Sequence, residues 1–195
     1  LVNHGVSSSL VEKMRAETQK DFFDLPIEEK NKYWHRPGDI EGFGQLFIAS
    51  EEQKLDWGYG FTIFTLPIHS RRPHLFPKLP LPFRDTLEVY LTEVKNLTLK
   101  MLDQMEKALR MDPNEMKEMN YDPPCQQPEQ VIGLNSHSDA SALTILLQIN
   151  EMDGLQIKKD GNWVLVKLLP DAFIINVGDV LDVALITFYC LCFLL

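Results

Sequence analysis

The sequence predicts an α+β fold, because helical patterns fill the first part of the chain and strand patterns fill the last part. Apolar residues recur at helical spacing within residues 9–30 and again within residues 83–110. After residue 120, short apolar runs alternate with turn signals such as Asp160-Gly161. Short strands with regular turns favour an antiparallel sandwich or barrel.

The first region, residues 1–119, is predicted to contain helices and loops. Ser9 and Glu12 have the spacing of a capping box, and Pro26 is predicted to be the first residue of a short second helix. His4 is interpreted as a structural residue, because it lies far along the chain from the candidate metal ligands His137 and Asp139.

Residues 35–80 are rich in glycine, proline and aromatic residues and are interpreted as loops with short extended pieces. They contain a basic cluster, which we interpret as a solvated loop in preference to a ligand site. The cluster consists of Arg71, Arg72, His74 and Lys78. Four aromatic residues, in this segment and later, are predicted to be core residues in preference to substrate contacts. These are Trp57, Phe61, Phe64 and Trp163.

The clearest helix is predicted over residues 83–110, where one continuous apolar stripe faces the core. The stripe consists of Phe83, Leu87, Tyr90, Leu91, Val94, Leu97, Met101, Leu102, Met105 and Leu109. Charged residues fill the other face, so this helix is predicted to be part of the core.

Residues 120–182 are predicted to form the strand-rich region of the chain. The expected strands are at about 131–136, 142–149, 154–158, 162–166 and 172–177. The last residues, 183–195, are uncharged and nearly all apolar, and they form either a buried strand or an exposed apolar tail. Thirteen such residues are too few to span a bilayer, so no membrane span is expected.

The composition favours a globular protein without affinity for nucleic acid. The chain has 195 residues, 45% of them hydrophobic, and a net charge of −9, which gives no attraction to a polyanion. The three cysteines match no zinc or redox spacing, which favours a reducing compartment, and we expect a cytoplasmic protein. The oligomeric state is left open.

The candidate metal site is the pair His137 and Asp139, at the start of an apolar run. Residues two apart on a strand point to the same side, so the imidazole and the carboxylate can reach one divalent ion. They would be two of the three ligands of a 2-His-1-carboxylate iron site. The alternative is a strand-end histidine that is hydrogen-bonded to a nearby carboxylate, and the spacing alone leaves both possibilities open.

The sequence resembles the plant iron(II)- and 2-oxoglutarate-dependent dioxygenases, with similarity over nearly the whole chain. It is most similar to the senescence-related and alkaloid O-demethylase-like subgroup. The resemblance rests on residues 1–5, 22–26, 120–125, 128–129, 133–139, 142–148, 154–157 and 176–179.

The resemblance implies a double-stranded β-helix, or jelly roll, behind an N-terminal helical region. It implies that His137 and Asp139 bind Fe(II), with no catalytic residues beyond the metal ligands. The expected co-substrate is 2-oxoglutarate, with ascorbate as a possible reductant. Family members oxidise a small organic substrate, here a plant metabolite, by hydroxylation, desaturation or O-demethylation.

The chain departs from the family pattern at several positions. The resemblance places Asn120 and Asp122 in the segment that binds the co-substrate, but the family usually has Tyr where Asp122 stands. A carboxylate there would repel 2-oxoglutarate. No histidine follows His137, where the family has its third ligand, and no arginine follows Arg110 to clamp the co-substrate carboxylate.

These departures lead to the interpretation of a truncated member of the family with a partial jelly roll, impaired activity and a tail at 183–195 unlike the family. One alternative is a catalytically inactive remnant that acts in binding or regulation, or a non-functional gene product. Another is a cupin-like metal-binding protein, which would need further ligands near His137. The sequence does not define the substrate or the reaction outcome.

Overall fold

The computed structural model of the protein describes residues 1–36, 39, 41–45, 59–110, 139, 143–150, 155–178 and 190–194, with only the backbone at 45 and 190–194. Helices occupy the first part of these residues and strands dominate the last part, so the predicted α+β class is confirmed. The proposed division at residues 119 and 182 stays a prediction.

Three α-helices are present among the described residues: α1 Ser8–Thr18, α2 Ile27–Lys30 and α3 Leu81–Leu109. A π-helical turn, Gln19–Phe23, continues α1, and a 3-10 turn, Asn31–Tyr33, continues α2. Two further 3-10 turns, Ile68–Ser70 and Phe76–Lys78, precede α3.

The predicted capping box at Ser9 is wrong, because α1 begins earlier. Ser7 is the N-cap residue, and its carbonyl accepts the backbone N–H of Leu10 and of Val11 at 3.0 Å. Ser9 therefore lies inside the first turn, where its hydroxyl is 2.8 Å from the Ser7 hydroxyl. Pro26 is the N-cap of α2 and not its first residue, so α2 begins at Ile27, one residue later than predicted.

The long helix α3 follows the predicted apolar stripe. It begins two residues before the predicted start and ends where Arg110 adopts a left-handed conformation, with φ 59°. Its buried residues recur every three or four positions, as expected for one face against a core. Leu109 is an exception in the last turn, with 61% of its surface exposed.

The strands are β1 Gly42–Gln45, β2 Tyr59–Phe64, β3 Leu143–Leu146, β4 Gln156–Lys159, β5 Asn162–Leu165, β6 Ile174–Val177 and β7 Cys190–Leu194. The pairings between these described strands are antiparallel and give a three-stranded sheet β1-β2-β7 and the pairs β3-β6 and β4-β5. The strand β7 lies in the apolar tail, so a strand forms there, while the choice between a buried and an exposed tail stays a prediction.

The core centres on a cluster of aromatic rings between the helices and β2. The Phe22 ring stacks on Phe61 with 4.4 Å between centroids and meets Phe43 edge-on at 5.9 Å. Phe61 is 1% exposed, as predicted for a core residue. Phe22 stands in the π-helical turn, which therefore joins α1 to the sheet.

The pair β3-β6 is attached to the helices from one side. Ile145 and Ile175 are directly paired, and both pack against the main core. Phe173, just before β6, is 1% exposed, and its ring lies 6.4 Å from that of Tyr90 on α3. These contacts fix the strand pair against α3.

The prediction that Trp163 is a core residue is wrong. Asp160 and Gly161 join β4 to β5, both with positive φ, as the sequence predicts for a tight turn. Every residue of these two strands is exposed, and Trp163 is 52% exposed. Neither face of the hairpin packs against the core, so its apolar side chains face solvent. Trp57 lies outside the described residues.

Candidate metal centre

The two faces of the pair β3-β6 have different roles. Ile145 and Ile175 point towards the helices, so the adjacent residues Thr144 and Asn176 point to the opposite face. Thr144 and Asn176 are direct partners across the two strands, and both are partly buried. The face away from α3 therefore carries polar groups.

Asp139 is held at this polar face by a hydrogen bond. The Asn176 side-chain amide, Nδ2, donates to Asp139 Oδ2 at 3.2 Å, and both residues are partly buried. Asp139 precedes β3, which begins at Leu143, and Asn176 lies on its partner strand. Strand pairing thus brings together two side chains 37 residues apart.

Asp139 is the sequence-predicted site residue that the structure describes. His137, Asn120 and Asp122 lie outside the described residues, so their roles stay predictions. Within the described ranges, His, Cys, Asp and Glu side chains form no group of three or more able to hold a metal. The donor chemistry fits a divalent ion at Asp139, since carboxylate oxygen and imidazole nitrogen are ligands of an iron site.

The sequence did not single out Asn176 as a site residue. Its segment, 176–179, was noted only as part of the resemblance, although a polar residue inside an apolar strand is a usable signal. Its partner could not be deduced, because the register between β3 and β6 is set by the fold. The histidine predicted to be structural, His4, does have that role: its Nδ1 accepts the Val6 N–H at 3.2 Å, and its ring lies 4.5 Å from that of Phe173.

The interpretation of the basic cluster as a solvated loop is wrong for Arg71. Its guanidinium forms a two-pronged ion pair with Glu88 of α3, and its Nε donates to the Thr65 carbonyl at 2.7 Å. The same guanidinium lies 4.0 Å from the centre of the Phe76 ring. Its side chain is only 11% exposed, because these contacts use it to attach the loop to the helix.

Arg72 also has a structural role. Its Nε donates to Glu41 Oε2 at 2.9 Å, and its Nη2 lies 3.5 Å from Asp39 Oδ1. The hydrogen bond to Glu41, followed by the charge of Asp39, raises the pKa of the Arg72 guanidinium above its ordinary value. We therefore do not assign Arg71 or Arg72 to the metal centre.

Two family profiles match the chain and together cover most of it. One describes the 2OG-Fe(II) oxygenase superfamily and matches residues 113–193. The other describes the N-terminal region of the non-haem dioxygenases of morphine synthesis and matches residues 1–79. This chain belongs to the 2OG-Fe(II) oxygenases. The first match includes Asp139, Asn176 and most of the apolar tail.

Several curated plant oxygenases are similar to this chain. Protein SRG1 of Arabidopsis thaliana is 54% identical over 94% of this chain and 54% of its own length. The flavonoid 7-O-demethylase 1 of Ocimum basilicum is 53% identical over 94% of this chain and 52% of its own length. Thebaine 6-O-demethylase of Papaver somniferum is 53% identical over 94% of this chain and 54% of its own length. The chain therefore spans about half the length of the curated relatives it matches.

Solved oxygenase structures support the fold. The chain matches JOX2, crystallised in complex with 2OG, Fe and JA, with a TM-score of 0.79 and 32% identity, over 93% of this chain and 57% of that one. The rice dioxygenase for auxin oxidation matches with a TM-score of 0.66 and 23% identity, over 92% of this chain and 60% of that one. These likenesses confirm a partial jelly roll with an N-terminal helical region. No helix among the described residues is both long and apolar enough to cross a membrane.

Proposed function

We propose that this chain carries the iron-binding part of a 2-oxoglutarate-dependent oxygenase that acts on a small organic molecule. The observation that supports this best is the orientation of Asp139 by Asn176, on the face of β3-β6 that points away from the helices. Membership of the 2OG-Fe(II) oxygenases supports the proposal that this carboxylate binds the metal. Because the chain spans about half of its relatives, the activity of the whole protein is part of the proposal.

In the proposed site, Asp139 and His137 hold Fe(II), and the iron supplies the activation of oxygen when it is bound. Asp139 contributes a negative charge, which offsets part of the charge of the cation. The packing of Ile145 and Ile175 against the core anchors the strands that carry the site. A rigid support of this kind keeps ligands in a fixed geometry.

We propose O-demethylation of a methoxylated aromatic compound as the first reaction to test. Two of the similar relatives are named as O-demethylases, one of a flavonoid and one of thebaine. In this reaction oxygen and 2-oxoglutarate are consumed, and a methyl ether becomes a hydroxyl group. The products are succinate, carbon dioxide and formaldehyde, so formaldehyde release distinguishes this outcome from simple hydroxylation or desaturation.

The decisive experiment is an anaerobic titration of the full chain with Fe(II) and then with 2-oxoglutarate. A visible charge-transfer band is expected when the keto acid chelates the iron. The variants His137→Ala and Asp139→Ala should abolish the band. Asp85→Ala, which removes an exposed carboxylate outside the candidate site, is the matched control and should leave it unchanged.

A band that survives both substitutions would contradict the assignment of these two ligands. Absence of a band in the wild-type chain, together with weak iron binding, would contradict the enzyme proposal. Succinate and formaldehyde are then measured with a panel of methoxylated flavonoids and alkaloids. An oxidised substrate product formed together with succinate but without formaldehyde would exclude O-demethylation in favour of another oxidation.

The second candidate is a chain that binds ligands without turnover. It is favoured by a fact of the sequence: within the 195 residues, no histidine follows His137 and no arginine follows Arg110. These residues thus supply a histidine and a carboxylate, which are two of the usual three protein ligands. Iron binding that depends on Asp139, without succinate formation, is the result expected of this candidate.

The proposal also includes a cellular location for the protein and a reductant that keeps the iron as Fe(II). The spacings of the three cysteines match no zinc or redox motif, which supports a reducing compartment such as the cytoplasm. Ascorbate is proposed as a reductant that preserves Fe(II), and a higher rate of succinate formation with ascorbate present would support this. Fractionation of cells that express the tagged chain would test the location.

A further inference from the structure

We infer that Asn176 is a positioning residue that orients the Asp139 carboxylate for metal binding, and this inference rests on the proposed function. Asn176 donates from Nδ2 to Asp139 Oδ2 at 3.2 Å. It does not need to touch the metal. Its role is to limit the orientations of a ligand that is carried by the segment before β3.

The support for Asn176 can be followed back to the core. Asn176 is paired with Thr144 across β3-β6, and the next residue pair, Ile145 with Ile175, packs against the core. The backbone at Asn176 is therefore fixed, and the side chain points to the face where Asp139 lies. By contrast, Asp139 itself stands outside the regular strands.

A hydrogen bond to one oxygen of a carboxylate has two effects on metal binding. It restricts rotation of the carboxylate group, so less conformational entropy is lost when an ion binds. It also engages one of the two oxygens, which favours binding of the ion through the other. Groups that orient metal ligands in this way typically change metal affinity by about 10- to 100-fold.

Asp139 has a further interaction besides this hydrogen bond, so we expect an effect at the lower end of that range. A purely structural role is the competing explanation, because the same bond ties the segment before β3 to β6. The two explanations differ in what they predict. A structural role changes the free energy of unfolding alone, while a positioning role changes metal affinity and the geometry of the bound ion.

The test uses cobalt(II) alone as the probe, with the full chain. Asn176→Leu has nearly the same size and lacks the donor, and Asn176→Gln keeps an amide donor on a longer side chain. Ile175→Val removes one methyl group from the opposite face of the same strand and controls for destabilisation of β6. Affinity is measured by calorimetry, and the geometry of the ion is followed by visible absorption.

The expected result is a cobalt(II) dissociation constant about 10-fold higher for Asn176→Leu, with an altered visible spectrum. Asn176→Gln should recover part of the affinity. Ile175→Val should lower the free energy of unfolding without changing the affinity. An affinity of Asn176→Leu within about twofold of wild type would overturn the inference while leaving the proposed function intact.

A further variant separates this inference from the function on which it rests. If Asp139→Ala binds cobalt(II) as well as wild type does, the proposed function fails and the inference fails with it. If Asn176→Leu does not fold, nuclear magnetic resonance of the wild-type chain decides. Addition of zinc(II) should shift the side-chain amide signals of Asn176, and this shift should be lost in Asp139→Ala. Unchanged signals in the wild type would overturn the inference.

Discussion

Glu41 and Arg72 are joined by an ion pair in which the carboxylate is buried and the guanidinium is half exposed. Arg72 Nε donates to Glu41 Oε2 at 2.9 Å, and the other oxygen, Oε1, accepts the Phe64 N–H at 2.8 Å. The Glu41 side chain is 3% exposed and that of Arg72 is 50% exposed. One carboxylate thus connects the end of β2 to the loop that precedes α3.

We predict that Arg72→Gln lowers the free energy of unfolding by about 1–2 kcal/mol, because Glu41 would stay buried without its charged partner. Solvent around the guanidinium keeps the loss below that of a fully buried pair. The control is Lys107→Gln, whose lysine side chain is 66% exposed and lies 2.7 Å from Asp103 on the surface of α3. Urea unfolding should give less than about 0.5 kcal/mol for the control. Equal losses for the two variants would contradict the role of Glu41.

We predict that replacement of Gly42 by any other residue destabilises the fold. Its φ is +131°, and a Cβ there would lie 2.7 Å from His35 Cα and 2.8 Å from the Tyr33 carbonyl oxygen. These are backbone atoms, which cannot move away cheaply. Gly42→Ala should therefore lower the free energy of unfolding by more than about 2 kcal/mol.

Gly161 provides the matched control for Gly42. Its φ is also positive, at +81°, but a Cβ there would meet nothing within 4 Å. Gly161→Ala should cost only the conformational penalty of about 1 kcal/mol. Urea unfolding of the two variants side by side measures the difference. A cost for Gly161→Ala as large as that for Gly42→Ala would show that the crowding around Gly42 is unimportant.

Tyr90 is predicted to make stability sensitive to alkaline pH. The residue is 1% exposed, and burial raises the pKa of its phenol well above the ordinary value, although the charge of Arg15 opposes this. Because the pKa of the Tyr90 phenol is higher in the folded state than in the unfolded state, the full free energy of unfolding is retained below about pH 10. It falls as pH rises beyond that value, by up to about 1.4 kcal/mol per pH unit.

Tyr90→Phe should remove this alkaline loss. The phenol has no hydrogen-bond partner among the described residues, so the substitution should have little effect at neutral pH. Urea unfolding at about pH 9 and about pH 11 compares the variant with wild type. Tyr59→Phe, at a position 42% exposed, removes a phenol that is not buried and serves as the control. Identical pH dependence in wild type and Tyr90→Phe would contradict the prediction.

Trp163 is predicted to promote self-association at high protein concentration. It is 52% exposed on one face of the β4-β5 hairpin, which it shares with Leu165 at 39%. On the other face, Val164 at 43% is paired with Ile157 at 48%. Exposed apolar patches of this kind favour contacts between molecules. Trp163→Ser should lower the average mass measured by light scattering, with at most about 1 kcal/mol change in unfolding free energy.

Ile68→Ser is the control for this experiment, since Ile68 is 67% exposed but lies outside the hairpin. It should leave the average mass unchanged. A monomeric wild-type chain at every concentration tested would contradict a role for the hairpin in self-association. The measurement would also define the oligomeric state, which the sequence leaves open.

Features that depend on near neighbours in the chain were predictable. The apolar stripe of α3 follows from the helical period, and the turn at Asp160 and Gly161 follows from residues that tolerate positive φ. The errors at the start of α1 and α2 were of one or two residues. Three consecutive serines, 7–9, can each serve as the N-cap of α1, and Pro26 can be either the N-cap or the first residue of α2. The resemblance also gave the correct family and the partial jelly roll.

The sequence by itself determined the family, the helix α3 and the choice of Asp139 as a candidate ligand. The tertiary structure alone decided which residue orients that ligand, because Asn176 is 37 residues away and the register of β3-β6 brings it there. It also decided that Arg71 is partly buried against Glu88 while Trp163 is exposed. Local periodicity reports how a segment folds, but burial and long-range hydrogen bonds depend on which other segments pack against it.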